Sequence, residues 1–291
     1  MNNKKMNLSI SFSGGKTSAY MTQWLLKNKR DDFDEIVITF ANTGQENEET
    51  LEFVDRCDKE WGLNVVWLEA LVNPEKGKGT IFKVVTFETA SRNGEPFEEY
   101  IKKHGIPNQA FPKCTTELKL QPMKTYLRSL GWKNGTYKTA IGIRIDEMDR
   151  VSSKMEKENL IYPLVEYTKA TKEMINLWWE KQPFNLHLQE HQGNCKWCWK
   201  KSKRKLLTLA ADTPEVFEFP SRMEDNYRFN GPWQDPSGFG RVFFRKNTTA
   251  QMLLEESKLP FKRWTPDRIN FDLFDYEMDS AGGCSESCEV Y

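Results

Sequence analysis

A loop with the composition of an anion-binding site lies close to the N-terminus, at Ser13-Gly14-Gly15-Lys16-Thr17-Ser18. Its glycine pair allows backbone N–H groups to approach an anion in conformations that a Cβ atom would resist. A strand-like run precedes the loop and a helical run follows it, so the positive end of a helix points at the same anion. A glycine pair alone is also typical of a tight turn without a ligand. The spacing is not that of a Walker loop, which needs G-x-x-x-x-G-K-[ST].

The chain has six cysteines, at positions 57, 114, 195, 198, 284 and 288. Cys195 and Cys198 form a C-x-x-C, a spacing that indicates metal binding or dithiol chemistry. Cys284 and Cys288 form a second close pair, and two such pairs can build a structural zinc site with four thiolates. Cys57 falls on the apolar face of a predicted helix, where a core position is expected. The residues alone leave a metal site, a redox dithiol and unreacted thiols open.

The strongest run of positive charge is segment 196–205, which reads K-W-C-W-K-K-S-K-R-K. A solvated helix face is the default interpretation of such a run. Tryptophans alternate with the cations, however, as they do where single-stranded nucleic acid stacks on a protein. The same charges can also hold nucleotide phosphates or balance thiolate charge. Outside this segment, Lys119, Arg144 and Arg150 are the candidates for binding anionic groups.

The elements that must position these residues follow a regular alternation along the first part of the chain. Strand-like patterns at residues 7–12, 36–40 and 64–68 alternate with helical patterns at 18–27 and 48–62. This β-α-β-α-β order predicts a parallel sheet with right-handed crossovers. A further strand is expected at 137–143, and further helices at 118–130, 171–182 and 199–211.

We therefore predict an α/β fold for residues 1–211, a Rossmann-like three-layer α/β/α arrangement with a mainly parallel sheet. Residues 212–291 are rich in Pro, Gly, Asp and aromatic side chains, and only 250–258 has a clear helical pattern. They are expected to form an irregular C-terminal extension laid over the core. Basic and acidic residues balance at 42 each, so global charge recruits neither nucleic acid nor a membrane. With no secretory signal and no apolar stretch long enough to span a bilayer, a cytoplasmic protein is expected.

Three more motifs follow the loop in chain order, and they are Asn42-Thr43-Gly44-Gln45-Glu46 with Glu49-Thr50, Gly142-Ile143-Arg144 with Glu147 and Arg150, and Tyr162-Pro163-Leu164 with Tyr167-Thr168. Together with loop 13–18 they resemble motifs of the PP-loop ATP pyrophosphatase and phosphoadenosine-phosphosulfate (PAPS) reductase superfamily. The resemblance covers residues 13–168 and stops before the C-terminal third.

The resemblance implies that ATP or a PAPS-like adenine nucleotide binds this chain. The residues that match the family's binding motifs are Ser13, Gly14, Gly15, Lys16, Thr17, Ser18, Thr43, Gly44, Gly142, Arg144 and Arg150. One of them departs from the family, since most PP-loops have aspartate where Thr17 stands. That difference counts against cation-assisted cleavage of ATP and leaves anion binding intact.

The resemblance also implies a role for the cysteines. Iron-sulfur members of the family hold a [4Fe-4S] cluster with a Cys-Cys pair and a C-x-x-C, and the matching residues here are Cys114, Cys195 and Cys198. A zinc site built from Cys195, Cys198, Cys284 and Cys288 is the alternative. Reductases of the family carry a nucleophilic cysteine on a mobile tail, a role that Cys284 or Cys288 can fill after the glycine pair at 282–283, although the family's E-C-G-x-H tail is absent. A thioredoxin-like reductant is then the expected partner.

Three functions remain as expectations at this point. The first is PAPS-reductase-like chemistry on an adenine nucleotide with cysteine or iron-sulfur chemistry. The second is an ATP-dependent sulfurtransferase that modifies nucleic acid, which the basic segment 196–205 favours and Thr17 disfavours. The third is a non-catalytic nucleotide-binding protein that retains the fold.

Overall fold

A six-stranded sheet forms the centre of the protein in the computed structural model, which describes residues 5–193, 195–231 and 238–265. Its strand order is β4-β3-β2-β1-β5-β6, and all neighbours are parallel except the antiparallel pair β3 and β4. The strands are β1 (Asn7–Ser11), β2 (Ile36–Asn42), β3 (Val66–Leu71), β4 (Ile81–Val85), β5 (Tyr137–Ala140) and β6 (Leu160–Ile161). The predicted α/β fold with a mainly parallel sheet is confirmed, and the antiparallel edge strand β4 was not expected.

Helices cover both faces of this sheet. They are α1 (Lys16–Lys29), α2 (Glu48–Trp61), α3 (Glu95–His104), α4 (Gln121–Ser129), α5 (Met155–Glu158), α6 (Lys172–Glu180), α7 (Lys203–Asp212), α8 (Glu218–Tyr227) and α9 (Ala250–Glu256). Apolar side chains of α1, α2 and α6 share one buried cluster with β1. On the opposite face, Met123 of α4 packs against Ala41 and Leu68 of β2 and β3. None of these helices, within the described residues, is both long and apolar enough to cross a membrane.

Strand β1 shows why the sequence folds this way. Leu8 and Ile10 are fully buried in the cluster of α1, α2 and α6, and Ser9 and Ser11 alternate with them along the strand. Successive side chains of a strand point to opposite faces, so the two serines face the α4 side of the sheet. The central strand is therefore apolar on one face and hydroxylated on the other.

The chain reverses its direction of winding at β1. From β1 it proceeds through β2 to β3 on one side, and it later returns to the other side of β1 to form β5 and β6. In open parallel sheets the crevice for a ligand lies outside the carboxyl ends of the strands at such a reversal. The loops that follow β1 and β5 flank that position.

The C-terminal region is more helical than its composition suggests. Helices α7, α8 and α9 and the preceding α3 share a second buried cluster, whose largest side chains include Trp197, Phe217 and Phe243. Helix α8 was not predicted, because the high content of Pro, Gly, Asp and aromatic residues after position 212 indicated irregular structure. It contains Pro220. The proline stands in the first turn of α8, where a missing N–H group breaks no intrahelical hydrogen bond.

A buried carboxylate joins the parts of this region. Glu224 on α8 is 4% exposed, and it accepts hydrogen bonds from the backbone N–H groups of Phe243 (3.0 Å) and Ala250 (2.8 Å). Burial raises the pKa of Glu224 to about 7, because the effect of desolvation exceeds that of the two N–H donors.

The raised pKa of Glu224 predicts that the protein becomes less stable as the pH rises, and that Glu224→Gln abolishes this part of the pH dependence. Between pH 4.5 and about pH 7 the folded protein keeps a proton on Glu224 that the unfolded chain has released. The contribution of Glu224 to the free energy of unfolding therefore falls as the pH rises through this range. From pH 5 to pH 8 the free energy of unfolding of the wild type should fall by about 2–3 kcal/mol more than that of the variant. Urea unfolding of both proteins across that range measures it. Only the difference in slope is diagnostic, and parallel pH profiles would contradict the prediction.

Candidate functional site

The loop after β1 has the geometry of a phosphate cradle. Gly14 has a φ of +84°, and a Cβ atom there would lie 2.7 Å from a methyl carbon of Thr50, so only glycine fits. Ser18 Oγ accepts a hydrogen bond from the Ser13 backbone N–H (3.2 Å) and donates one to the Gly15 carbonyl (3.0 Å). Helix α1 begins directly at Lys16 without a side-chain cap. No side chain of the described residues caps its first N–H groups, and a helix N-terminus of this kind is suited to bind an anion.

The loop after β5 reaches the same cradle through Arg144. This side chain is 5% exposed, and its Nη1 atom lies 3.3 Å from Thr17 Oγ1. Its Nε atom donates to Asp146 (3.1 Å), and Glu147 lies 3.5 Å from its guanidinium group and also pairs with Arg150. Two motifs more than a hundred residues apart in sequence thus meet at the first turn of α1.

The loop after β2 is held by its own glutamate. Glu46 accepts hydrogen bonds from the Thr43 backbone N–H (2.8 Å) and from the Thr43 hydroxyl, and Lys119 lies 3.5 Å from it. Glu46 and Lys119 are both buried. Lys119 belongs to a π-helical segment, Thr116–Leu120, immediately before α4, and π-helical turns are frequent at functional sites.

The C-x-x-C loop is attached to this β2 loop by backbone and side-chain hydrogen bonds. Cys195 forms an antiparallel bridge with Glu46, and the Lys196 N–H donates to the Gln45 carbonyl (2.9 Å). The indole Nε1 of Trp197 donates to Gln45 Oε1 over 2.6 Å in a fully buried position. Gln45 was not among the binding residues expected from the sequence, and nothing in its local sequence indicates this contact.

One cavity brings together the three cysteines that the resemblance selected. Its lining includes Cys114, Cys195 and Cys198 together with Thr43 and Lys119. The three cysteines form no disulfide among the described residues. In that part of the chain no group of three His, Cys, Asp or Glu side chains is placed to hold a single metal ion. Cys284 and Cys288, which are two of the four proposed zinc ligands, lie outside the described residues.

Two cations lie close to the C-x-x-C loop, and one of them, Arg245, comes from the C-terminal region. Arg245 donates to the Lys200 carbonyl (3.2 Å), and burial lowers the pKa of its guanidinium group, while the nearby Cys198 opposes that shift. Lys201 is buried, and its ammonium group donates to the carbonyls of Gln192 (2.6 Å) and Cys195 (3.0 Å). Two buried cations, Arg245 and Lys201, therefore lie next to the C-x-x-C loop.

The structure of the basic segment 196–205 differs from two of the interpretations of its sequence, the solvated helix face and the stacking surface for nucleic acid. Trp197 and Trp199 are buried, so neither offers a face on which a nucleic-acid base can stack. Lys205 pairs with Glu190 (2.8 Å), and Lys203 with Glu256. The start of α7 is therefore neither a stacking surface nor a solvated charge stripe, because most of its cations are used in contacts within the fold.

Comparisons with known proteins identify one family and several relatives. The family model of the phosphoadenosine phosphosulfate reductase domain matches residues 7–169. An uncharacterized nin region protein of Escherichia phage lambda is 32% identical over 288 residues, which are 97% of this chain and 94% of the phage protein. Two uncharacterized proteins of Methanocaldococcus jannaschii are 33% and 28% identical over 43% and 42% of this chain, but the matches cover only 24% and 20% of the archaeal proteins.

The hydrogen bond between Trp197 and Gln45 predicts unequal effects of two matched substitutions. Trp197→Phe leaves Gln45 Oε1 buried without its donor, whereas Trp199→Phe removes an indole N–H that has no partner among the described residues. Trp197→Phe should therefore lower the free energy of unfolding by about 1–3 kcal/mol more than Trp199→Phe. Urea denaturation of the two variants measures the difference, and equal losses would show that the bond contributes nothing.

Proposed function

The chain belongs to the phosphoadenosine phosphosulfate reductase domain family, and we propose that it acts on an adenine nucleotide bound at the carboxyl edge of the sheet, with cysteine-based sulfur chemistry beside it. One observation carries this proposal. Cys114 and the C-x-x-C, about eighty residues apart in sequence, line the same cavity as Thr43 and Lys119. The cysteines proposed for sulfur chemistry therefore lie next to Thr43 of a nucleotide motif.

The phosphate end of the nucleotide is assigned to the loop at 13–18. The N–H groups at the start of α1, the Lys16 ammonium and the nearby Arg144 guanidinium supply the charge and donors that phosphate oxygens need. Thr43 and Gly44, at the end of the neighbouring strand, are placed to contact the rest of the nucleotide. A PAPS-like nucleotide is favoured over cleavage of ATP, since Thr17 provides no carboxylate for a cation.

The three cysteines are proposed to hold an iron-sulfur cluster rather than one zinc ion. Four zinc ligands must converge at about 2.3 Å from a single point, whereas the thiolates of a cluster bind different irons and stand farther apart. Cys114, Cys195 and Cys198 line one cavity, and thiolates are the ligands that such a cluster takes. When bound, such a group supplies electron transfer next to the nucleotide. The chain's own part is to hold the thiolates and to balance their charge with Arg245 and Lys201.

In the reductase form of the proposal, Cys284 or Cys288 acts as the nucleophile. Its thiolate sulfur bonds to the sulfonate sulfur of the nucleotide, the bond from that sulfur to the phosphate oxygen breaks, and the nucleotide leaves with both electrons of that bond. A thioredoxin-like dithiol then displaces sulfite from the cysteine and is itself oxidised to a disulfide. In the sulfurtransferase form, ATP adenylates an oxygen of a nucleic acid and releases pyrophosphate. The outer sulfur of a cysteine persulfide then bonds to the activated carbon, AMP leaves with the oxygen, and a second cysteine thiolate breaks the S–S bond and ends in a disulfide.

The metal proposal predicts which cysteine variants lose iron. Anaerobically purified wild type should contain about four irons per chain and show the visible absorption of an iron-sulfur cluster. Cys114→Ala and Cys198→Ala should lose most of that iron. Cys57→Ala should retain it, because Cys57 is fully buried in α2 and burial raises the pKa of its thiol. Zinc in place of iron, or equal iron in all variants, would contradict the assignment.

The nucleotide proposal predicts selective thermal stabilisation. PAPS at about 100 times its dissociation constant should add about 2.7 kcal/mol to the free energy of unfolding and raise Tm, and ATP should do less. Lys16→Gln should weaken binding about tenfold, and Lys27→Gln, an exposed lysine farther along α1, should leave it unchanged.

The outcomes separate the three functions. Stronger stabilisation by ATP than by PAPS would favour the sulfurtransferase, and binding without turnover would favour the non-catalytic protein. No stabilisation by either nucleotide would contradict the assignment of the loop.

A further inference from the structure

A second cavity lies on the α4 side of the sheet, away from the cysteines. It has a volume of about 190 Å³ and is bounded by β1, β5 and β6, by the loop before β5 and by α4. Helix α4 packs over β2, β3 and β4 and leaves the β1 and β5 part of this face to the cavity. Residues at the amino ends of β5 and β6, including Asn134 and Asn159, line it, so it extends away from the edge that carries the nucleotide motifs.

The floor of this cavity is polar where a sheet packed under a helix is ordinarily apolar. Ser9 and Ser11 of β1 and Thr139 of β5 line it, and Ser9 and Thr139 are register partners. Ser11 is 2% exposed, and its Oγ atom has no hydrogen-bond partner among the described residues. The same holds for Oγ1 of Thr39, the register partner of Ser11 on β2. A buried hydroxyl without a partner is destabilising, so a polar occupant is expected.

The rim of the cavity carries both signs of charge. Lys124 on α4 and Lys157 and Glu158 at the end of α5 are exposed and line the cavity. Within the described part of the chain, none of the three side chains forms an ion pair or a side-chain hydrogen bond. The walls between rim and floor are apolar and are formed by Met123, Leu127 and Leu160, among others.

We propose that this cavity binds a free α-amino acid with a polar side chain. A cavity of about 150 Å³ holds benzene, so 190 Å³ accommodates about ten non-hydrogen atoms. The two lysines suit the carboxylate and Glu158 suits the ammonium group, while the side chain passes the apolar wall and reaches the serine hydroxyls. A simple anion would leave Glu158 without a role, and a larger nucleotide exceeds the volume.

The inference does not depend on the proposed function, although the two sites share a helix. Lys119 and Leu120 are consecutive residues, and the first lines the cysteine cavity while the second lines this one. Ser11 likewise stands two residues before the phosphate loop on β1. An occupant of the cavity would therefore contact elements that also carry the phosphate loop and the cysteine cavity.

Calorimetric titration of the full-length protein with each of the twenty standard amino acids tests the proposal. At least one polar amino acid should bind saturably with one site per chain. The double variant Lys124→Gln/Lys157→Gln should weaken that binding by about tenfold or more. Lys27→Gln, on α1 across the sheet, should change it less than about twofold.

Ser11→Ala supplies an independent readout. It removes a hydroxyl that has no partner in the described part of the chain, so Tm without ligand should not fall, while amino-acid affinity should fall about tenfold. Absence of binding at about 10 mM of every amino acid would overturn the proposal, because ordered water would then be the only occupant. Binding that the pocket variants leave unchanged, or that PAPS or ATP displaces competitively, would overturn it as well.

Discussion

Strand β1 pairs in parallel with β2 on one side and β5 on the other. This pairing places the carboxyl ends of three strands, and therefore three motif loops, at one edge of the sheet. Arg144 can reach Thr17, although 127 residues separate them, only because β5 lies next to β1. The same pairing makes β1 the floor of the second cavity. A change that displaced β1 would therefore disturb the anion cradle and the hydroxylated face together.

A second constraint joins the nucleotide edge to the cysteines. The bridge between Glu46 and Cys195 and the two hydrogen bonds at Gln45 attach the C-x-x-C loop to the end of β2. Glu46 also fixes Thr43 and pairs with Lys119. One short loop therefore serves both the nucleotide motif and the cysteine cavity. In a buried site, a polar network whose members are all paired holds one geometry, since breaking any member leaves a costly unpaired group.

The sequence predicted the elements whose formation depends on neighbouring residues. Alternation along β1, the helical spacing of α2 and the glycine pair at 14–15 act through neighbouring residues, and the structure has these elements where they were expected. The contact of Trp197 with Gln45 joins side chains 152 residues apart and has no local signature. Burial of the tryptophans in segment 196–205 was missed for the same reason, because composition does not distinguish an aromatic in a core from one on a binding face.

The charge around the phosphate cradle explains what the threonine at position 17 changes. Arg144 and Arg150 stand opposite Asp146 and Glu147, so these four groups sum to zero. An aspartate in place of Thr17 would lie against Arg144 and make the group net negative, which suits a bound cation that bridges carboxylate and phosphate. With threonine the group stays neutral, and the positive end of α1 and the Lys16 ammonium act on the ligand without opposition. The substitution therefore favours direct binding of an anion by the protein over binding mediated by a metal ion.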